Sequence, residues 1–424
     1  MKIYLDTVGC RLNQSEIETY ARQFVAQGHI LVPDPAQADI TVVNSCTVTN
    51  AAAADSRKMI RRAARAGTGK VVATGCWATL EPQAAASLPG VAKVVSNVKK
   101  DTLVSQVLQL SPNIFDGQPL TRVPIPGARL RTRAFIKVQD GCNNRCTFCI
   151  TTLARGTGRS LSLNSVIAEI QAALMGGTQE IVLTGVHLGS WGQDFASPQT
   201  LKLLLAEILK STDTPRLRLS SLEPWDLDED FFSLWQHQRL AQHLHLPLQS
   251  GSTATLRRMA RKVTPESYAN LVHIARNVMP NAAITTDIIA GFPGESEAEF
   301  AESKEFVRRM AFAGGHVFTY SERLGTAAAA MPDSIPHPVR KNRNTQFREL
   351  LDELAVAYRQ KFLGQQKSVL WESVTSLGTQ RWAASGLTGN YLRVDAEAPQ
   401  DLWNKITPVI LTELSERGIL GKIV

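Results

Sequence analysis

Residues 141–149 read Gly141-Cys142-Asn143-Asn144-Arg145-Cys146-Thr147-Phe148-Cys149, a C-x3-C-x2-C run that directly follows the apolar stretch AFIKVQ (134–139). Three thiols this close in sequence can all turn inward from one loop. Soft thiolate ligands select iron–sulfur clusters, copper(I) or zinc. A [4Fe–4S] cube normally takes four cysteines, and no fourth lies nearby, so one iron would stay open to a substrate or cofactor, as a catalytic zinc keeps a free position. The alternatives are a zinc knuckle, for which the next histidine, His187, is remote, and a group of reduced buried thiols.

Outward from the loop, apolar runs alternate with helical patterns. AFIKVQ (134–139), EIVLTGV (180–186), RLRLSS (216–221), HLHLPL (243–248), ITTDIIAGF (284–292) and HVFTYS (316–321) read as strands. Helical patterns lie at about 164–176, 199–211, 252–260, 265–279 and 296–312, with Thr264-Pro265 as an N-cap followed by proline at the first helical position. Six such units predict a barrel or partial barrel, a fold whose active sites sit at the C-terminal ends of the strands. A long helix over about 340–363 follows.

The first hundred residues alternate in the same way. KIYLDTVG, ADITVVNSC (38–46), KVVATGC (70–76) and VAKVVSN (91–97) are strands with helices between them, which predicts a parallel sheet covered by helices. Asn13-Gln14-Ser15-Glu16 reads as a capping-box variant opening the first helix. Cys10, Cys46 and Cys76 each stand just past a strand, and neighbouring parallel strands present such ends along one edge, where α/β sheets place ligands. Single cysteines after strands are also ordinary buried apolar residues. The spacing leaves both readings open.

Residues 111–133 hold four prolines, two glycines and Arg122, Arg129, Arg131 and Arg133, and read as an exposed basic linker. The last sixty residues carry short strands with glycine and asparagine turns, a small all-β unit of the barrel kind that binds oligonucleotides. The expected divisions are 1–110, 111–133, 134–363 and 364–424.

The 424 residues, 44% apolar and 20% charged, describe an ordinary globular protein. No apolar run reaches the roughly 18 residues of a membrane span, and Asp6 interrupts the N-terminus where a secretory signal would be apolar. A cytoplasmic protein without a membrane partner is expected. Six cysteines are too few for a disulfide scaffold. The net charge of +8 is uneven: +4 over 1–110, +3 over 111–135, +1 over 136–363 and zero over 364–424.

The cysteine loop after the first barrel strand resembles the signature of the radical S-adenosylmethionine (SAM) enzymes, and GCNNRCTFCITTLARGTGRSLS resembles their methylthiotransferase branch. LTGVHLGSWG (183–192), RLSSLEPWD (218–226), LHLPLQSGS (244–252), LRRMARKVT (256–264), TTDIIAGFPGES (285–296) and HVFTYSERLGTAAAAMP (316–332) extend the likeness over essentially the whole chain. The resemblance implies an N-terminal parallel α/β domain, a central partial (β/α)6 radical SAM barrel and a small C-terminal all-β barrel like the RNA-binding TRAM domain, through GLTGNYLRV and the GKIV ending. It implies two [4Fe–4S] clusters. One sits on Cys142, Cys146 and Cys149, where it binds and cleaves SAM to a 5′-deoxyadenosyl radical. The second sits on Cys10, Cys46 and Cys76, whose blocks TVGCRLNQSE, NSCTVTNAA and TGCWAT match the family's, with Trp77 where tyrosine is common. That second cluster would supply the sulfur.

Candidate SAM contacts are Gly185, Ser221, Glu223, Gln249 and Asp287, at or near strand ends; each is also a plausible turn or capping residue. Arg155 and Arg159 can hold a carboxylate or phosphate, or serve as structural ion-pair partners. TVGCRLNQSEIE resembles the form found in enzymes that methylthiolate N6-threonylcarbamoyladenosine at tRNA position 37. The same chemistry on N6-isopentenyladenosine or on a ribosomal-protein aspartate is the alternative, as is an RNA-binding metalloprotein without turnover. The implied partners are a tRNA anticodon loop, an electron donor and a sulfur source. Arg57, Arg61 and Arg65 form a helical stripe that can follow phosphates or simply face solvent. Arg129, Arg131 and Arg393 are further RNA candidates, and Trp382 and Tyr391 suit either base stacking or a small core.

Overall fold

The computed structural model describes residues 1–67, 69–115, 120–123, 125–126 and 132–424; Arg129 and Arg131 lie outside the described residues. The chain divides into two compact units. One comprises Met1–Arg145, Cys149–Gly177 and Leu183–Gln199, the other Cys146–Phe148, Thr178–Val182 and Thr200–Val424.

In the first unit, β1 (Lys2–Thr7), β2 (Ile30–Leu31), β3 (Ile40–Ser45), β4 (Lys70–Thr74) and β5 (Val91–Val95) form a parallel sheet in the order β2-β1-β3-β4-β5. The central strand β3 is buried throughout, the pattern of a parallel strand covered on both faces. One face packs Ile3, Leu5, Val42 and Val72 against Tyr20 and Phe24 of α1 (Arg11–Ala26). The other packs Val43, Val71 and Ala73 against Ile60 of α2 (Asn50–Ala66) and Trp77 of α3 (Gly75–Leu80). Helices α4 (Pro82–Ala86) and α5 (Leu103–Leu108) complete this part.

The structure departs from the sequence expectation at two helix starts. Helix α1 begins at Arg11, with Cys10 in the N-cap position, so Asn13 and Glu16 lie inside the helix rather than capping it. Asn13 is drawn inward because its amide donates to the Val8 and Ser45 carbonyls (2.7 and 3.2 Å). Strand β4 stops at Thr74, because Gly75 turns the chain at φ +90° into α3, which then carries Cys76.

The chain continues through β6 (Arg133–Lys137), β7 (Gln139–Asp140), α6 (Thr151–Arg155), β8 (Arg159–Ser160), α7 (Leu163–Met175) and β9 (Glu180–Thr184). Strand β9 is shared between the units. The second unit adds α8 (Leu201–Ser211), β10 (Arg216–Leu219), α9 (Glu229–Phe232), β11 (His243–His245), α10 (Thr253–Arg258), α11 (Pro265–Val278), β12 (Ala283–Ala290), α12 (Glu297–Met310), β13 (Gly314–Thr319) and α13 (His337–Gln360). Sheets β10-β9-β6 and β11-β12-β13 are joined by parallel bridges from Leu217 to Leu240 and from Ser221 to His245. Helix α11 starts as the sequence predicts, with Thr264 capping, Ser267 reciprocating and Pro265 in the first turn.

The C-terminal strands β14 (Gln366–Gly378), β15 (Arg381–Thr388), β16 (Arg393–Ala398), β17 (Ile406–Leu414) and β18 (Ile419–Ile423) close into a barrel in the order β14-β15-β16-β18-β17 around Trp371, Val409, Leu411 and Ile419. Buried arginines fasten it. Arg216 and Arg218 of β10 pair with Glu180 (3.3 and 2.7 Å) and donate across to the carbonyls of Leu387 and Thr388 (both 3.0 Å). Tyr391 stacks on His243 with ring centroids 4.0 Å apart. No helix among the described residues is long and apolar enough to cross a membrane.

Candidate active site

The adjacent strands β1, β3 and β4 deliver Cys10, Cys46 and Cys76 at their C-terminal ends. Packing there is close enough to demand glycine. A Cβ on Gly9 (φ +116°) would stand 2.8 Å from the Cys46 sulfur, and one on Gly75 would stand 2.3 Å from the Ser45 carbonyl oxygen. Ser56 of α2 fixes the Cys46 backbone by accepting from its N–H (2.9 Å). Asn97 donates to the Cys76 sulfur (3.5 Å) and to the Ala154 carbonyl (2.8 Å).

Loss of water around the Cys46 thiol, with the neighbouring Cys10 and Cys76 charges adding to it, pushes its pKa up to about 11. Cys10 sits at an exposed position, yet protein atoms crowd its sulfur and desolvation raises its pKa too, opposed by the Arg155 guanidinium. The three thiols therefore stand within electrostatic reach of one another. Bare thiolates are disfavoured in such a recess, and a cationic group that neutralises them is favoured.

In the central loop, Gly141 takes φ +71°, where a Cβ would meet the Thr157 carbonyl oxygen at 1.9 Å. Cys142 donates its N–H to the Gly156 carbonyl (3.0 Å), and the Asn144 N–H points at the Cys142 sulfur (3.4 Å). Desolvation pushes up the Cys149 thiol, with the Cys142 charge adding to the shift and hydrogen bonds from Thr151 and Thr152 opposing it.

Cys146 belongs to the second unit. There Arg261 points one guanidinium nitrogen at its sulfur (3.8 Å) and another at Glu223 (2.7 Å) and the Pro247 carbonyl (2.6 Å), beneath the Trp225 ring (4.5 Å).

None of the six cysteines is in a disulfide. Among the described residues no three His, Cys, Asp or Glu side chains are disposed to enclose a single metal ion. A cluster of several atoms spaces its ligands further apart than one ion does. Thiol-only sets on glycine-tightened, water-poor loops fit a [4Fe–4S] group better than a mononuclear site.

Gly185 follows β9, and the space over it is taken by Gln139 (3.0 Å), whose amide oxygen accepts from the His187 N–H. Ser221 is exposed at the end of β10, and Glu223 holds Arg261. Gln249 adopts φ +71°, unusual for a residue with a side chain, and bonds the β12 backbone through its N–H and carbonyl (2.8 and 2.9 Å). Asp287 lies between His245 (3.2 Å) and His316 (3.3 Å). Burial alone would raise its carboxyl, but the two imidazoles hold it well below the usual carboxylate range.

On α2, Arg61 and Arg65 are exposed, while Arg57 leans over Trp77 (5.8 Å). Arg393 is exposed and donates to Ser385 (3.2 Å). Tyr391 has one face against His243, and Arg218 stands 5.2 Å from its ring centroid, so it belongs to the barrel's anchorage.

Sequence reading missed a buried ionic group that joins both flanks of the central loop to α1. Arg155 donates to Glu16 (3.1 Å), Asp140 (2.9 Å) and Asn13 (2.8 Å), and Lys100 pairs with Glu16 (2.5 Å) and Asp140 (2.8 Å). Lys100 is 0% and Arg155 1% exposed. The carboxylates that Arg155 holds are thus the protein's own. Arg159 donates to the Arg155 carbonyl (3.2 Å). Arg261, His245 and His316 were missed as well, since nothing in their local sequence marks them.

Comparison with known proteins agrees with this architecture. The model of the Radical SAM superfamily matches residues 136–307, and that of Uncharacterized protein family UPF0004 matches residues 2–96. A threonylcarbamoyladenosine tRNA methylthiotransferase MtaB from Bacillus subtilis is 35% identical over 95% of this chain and 92% of its own length. A tRNA-2-methylthio-N(6)-dimethylallyladenosine synthase from Carboxydothermus hydrogenoformans is 30% identical over 97% of this chain and 96% of its own. Among solved structures, the radical S-adenosylmethionine methyltransferase TsrM from Kitasatospora setae shares the fold with a TM-score of 0.57 and 15% identity, covering 77% of each chain. With full-length relatives above 30% identity, the chain belongs to the radical SAM methylthiotransferase family, on the MtaB branch.

Proposed function

We propose that this chain is a tRNA methylthiotransferase that converts N6-threonylcarbamoyladenosine at position 37 into its 2-methylthio form. Its thiols would hold two [4Fe–4S] clusters, one on Cys142, Cys146 and Cys149 and one on Cys10, Cys46 and Cys76. The observation that carries the choice of nucleoside is the TVGCRLNQSE block around Cys10, supported by the full-length likeness to a relative bearing that activity in its name. When bound, the central cluster and SAM supply reductive C–S cleavage, and the N-terminal cluster supplies the sulfur.

The chain's own contribution is placement and charge. Glycines 9, 75 and 141 let backbone and sulfur atoms approach where a side chain would collide. Arg261 steadies the Cys146 sulfur, and Glu223 steadies Arg261. Ser221, Glu223, Gln249 and Asp287, with Gly185, are our candidates to hold SAM. Arg61 and Arg65, with Arg57 and Arg393, offer charge to tRNA phosphates. An electron donor and a sulfur source complete the turnover.

The test is expression in cells lacking their own such enzyme, followed by nucleoside mass spectrometry of the tRNA. We expect 2-methylthio-N6-threonylcarbamoyladenosine. Finding only the unmodified nucleoside defeats the assignment, and a methylthio group on isopentenyladenosine moves it to the other tRNA branch.

A further inference from the structure

We infer that Arg155 is the built-in counter-charge of the N-terminal cysteine set, a positioning residue that holds a positive charge one side chain away from Cys10 and binds the scaffold of Cys10 and Cys76 to the flanks of the central loop. The inference rests on the reading that Cys10, Cys46 and Cys76 hold a [4Fe–4S] cluster.

Its basis is geometric. One guanidinium nitrogen of Arg155 meets Glu16 and Asp140, and the other meets the Asn13 amide oxygen (2.8 Å). That same oxygen is the partner of the Cys10 thiol (3.7 Å). Asn97 bridges the Cys76 sulfur and the carbonyl of Ala154, the residue before Arg155. The guanidinium thus reaches Cys10 through the Asn13 side chain, while Asn97 ties Cys76 to the backbone just before Arg155. The charges of Cys10 and Cys76 in turn help keep Arg155 protonated, together with Glu16 and Asp140.

A buried arginine needs carboxylates to hold it in place. Glu16 and Asp140 also satisfy Lys100, so the four side chains balance two against two. A [4Fe–4S] group on three thiolates is anionic and gains one more negative charge on reduction. A fixed cation beside it in a water-poor recess favours the reduced form.

The experiment uses the full chain with Cys142→Ala, Cys146→Ala and Cys149→Ala, which leaves the N-terminal set alone. After anaerobic reconstitution, iron is counted and the cluster's midpoint potential is read by electron paramagnetic resonance titration. Arg155→Gln is expected to shift the potential to more negative values and Glu16→Gln to more positive ones, while Arg155→Lys stays near the parent. Opposite signs from two residues in contact are not what a merely structural role produces. Should Arg155→Gln fail to fold, Glu16→Gln and Arg155→Lys still decide the matter. An unmoved potential in Glu16→Gln, or a shift of the same size and sign in Arg155→Lys and Arg155→Gln, overturns the inference. If the parent takes up no iron, the cluster assignment itself fails, a result distinct from an intact cluster with unchanged potential.

Discussion

Cys142, Cys146 and Cys149 lie on one loop whose closure costs little chain entropy, whereas Cys10, Cys46 and Cys76 come from the ends of three strands and meet only after the sheet has formed. The first set is a property of a short segment; the second is a property of a fold. Damage to the parallel sheet should therefore empty the N-terminal set while sparing the central one.

The largest expected effects test this division directly. Cys146→Ala should abolish 5′-deoxyadenosine formation from SAM. Cys46→Ala should leave it in place, stop methylthiolation, and halve the bound iron from about eight atoms to about four. Survival of both activities in Cys46→Ala would remove the N-terminal thiols from the chemistry.

A step smaller, Gly75→Ala places a methyl group against the Ser45 carbonyl in a left-handed conformation, at a cost of at least about 1–3 kcal/mol. Thermal unfolding should show the loss, and iron analysis should show it confined to the N-terminal set. Gly158, whose missing Cβ would stand 3.5 Å from Asn143, is the matched position near the central loop and should accept alanine.

The smallest effect concerns acid. Burial alone would raise the Glu16 carboxyl, but Arg155, Lys100 and Lys137 hold it down at about 2. A carboxyl lowered in the folded state contributes stability above its unfolded pKa, roughly 4.3, and that contribution disappears as pH falls towards 2. Circular dichroism between pH 5 and 2 (a range set by those two values) should show a steep loss of the first unit's signal, and Glu16→Gln should flatten it.

The same contrast explains what the sequence disclosed. The central loop, the alternating strands and the Thr264-Pro265 helix start are local patterns, and the structure has them where they were expected. The barrel strands were legible because they alternate between short turns. The convergence of Cys10, Cys46 and Cys76 had only a topological argument and a family resemblance behind it. Asn13 and Glu16 look locally like a helix start, and tertiary demands override that: Asn13 serves the Val8 and Ser45 carbonyls, and Glu16 meets an arginine 139 residues away. Arg155 reads as an anion holder or a structural ion-pair partner, and the structure shows the second, with Glu16 from a remote segment and Asp140 from the other flank of the same loop. The Arg216, Arg218 and Glu180 group left no sequence trace, because each residue's partner lies on a different strand or loop.

That last group bears on the geometry of the barrel. Two buried arginines bolt the barrel to β10, and Tyr391 stacks on β11, so the barrel is fastened to these strands at several points rather than by its linker alone. In the tRNA reading proposed above, an RNA held by the barrel would be offered at one fixed offset from β10 and β11. Selection would then work as a ruler does, by the length of chain between grip and target.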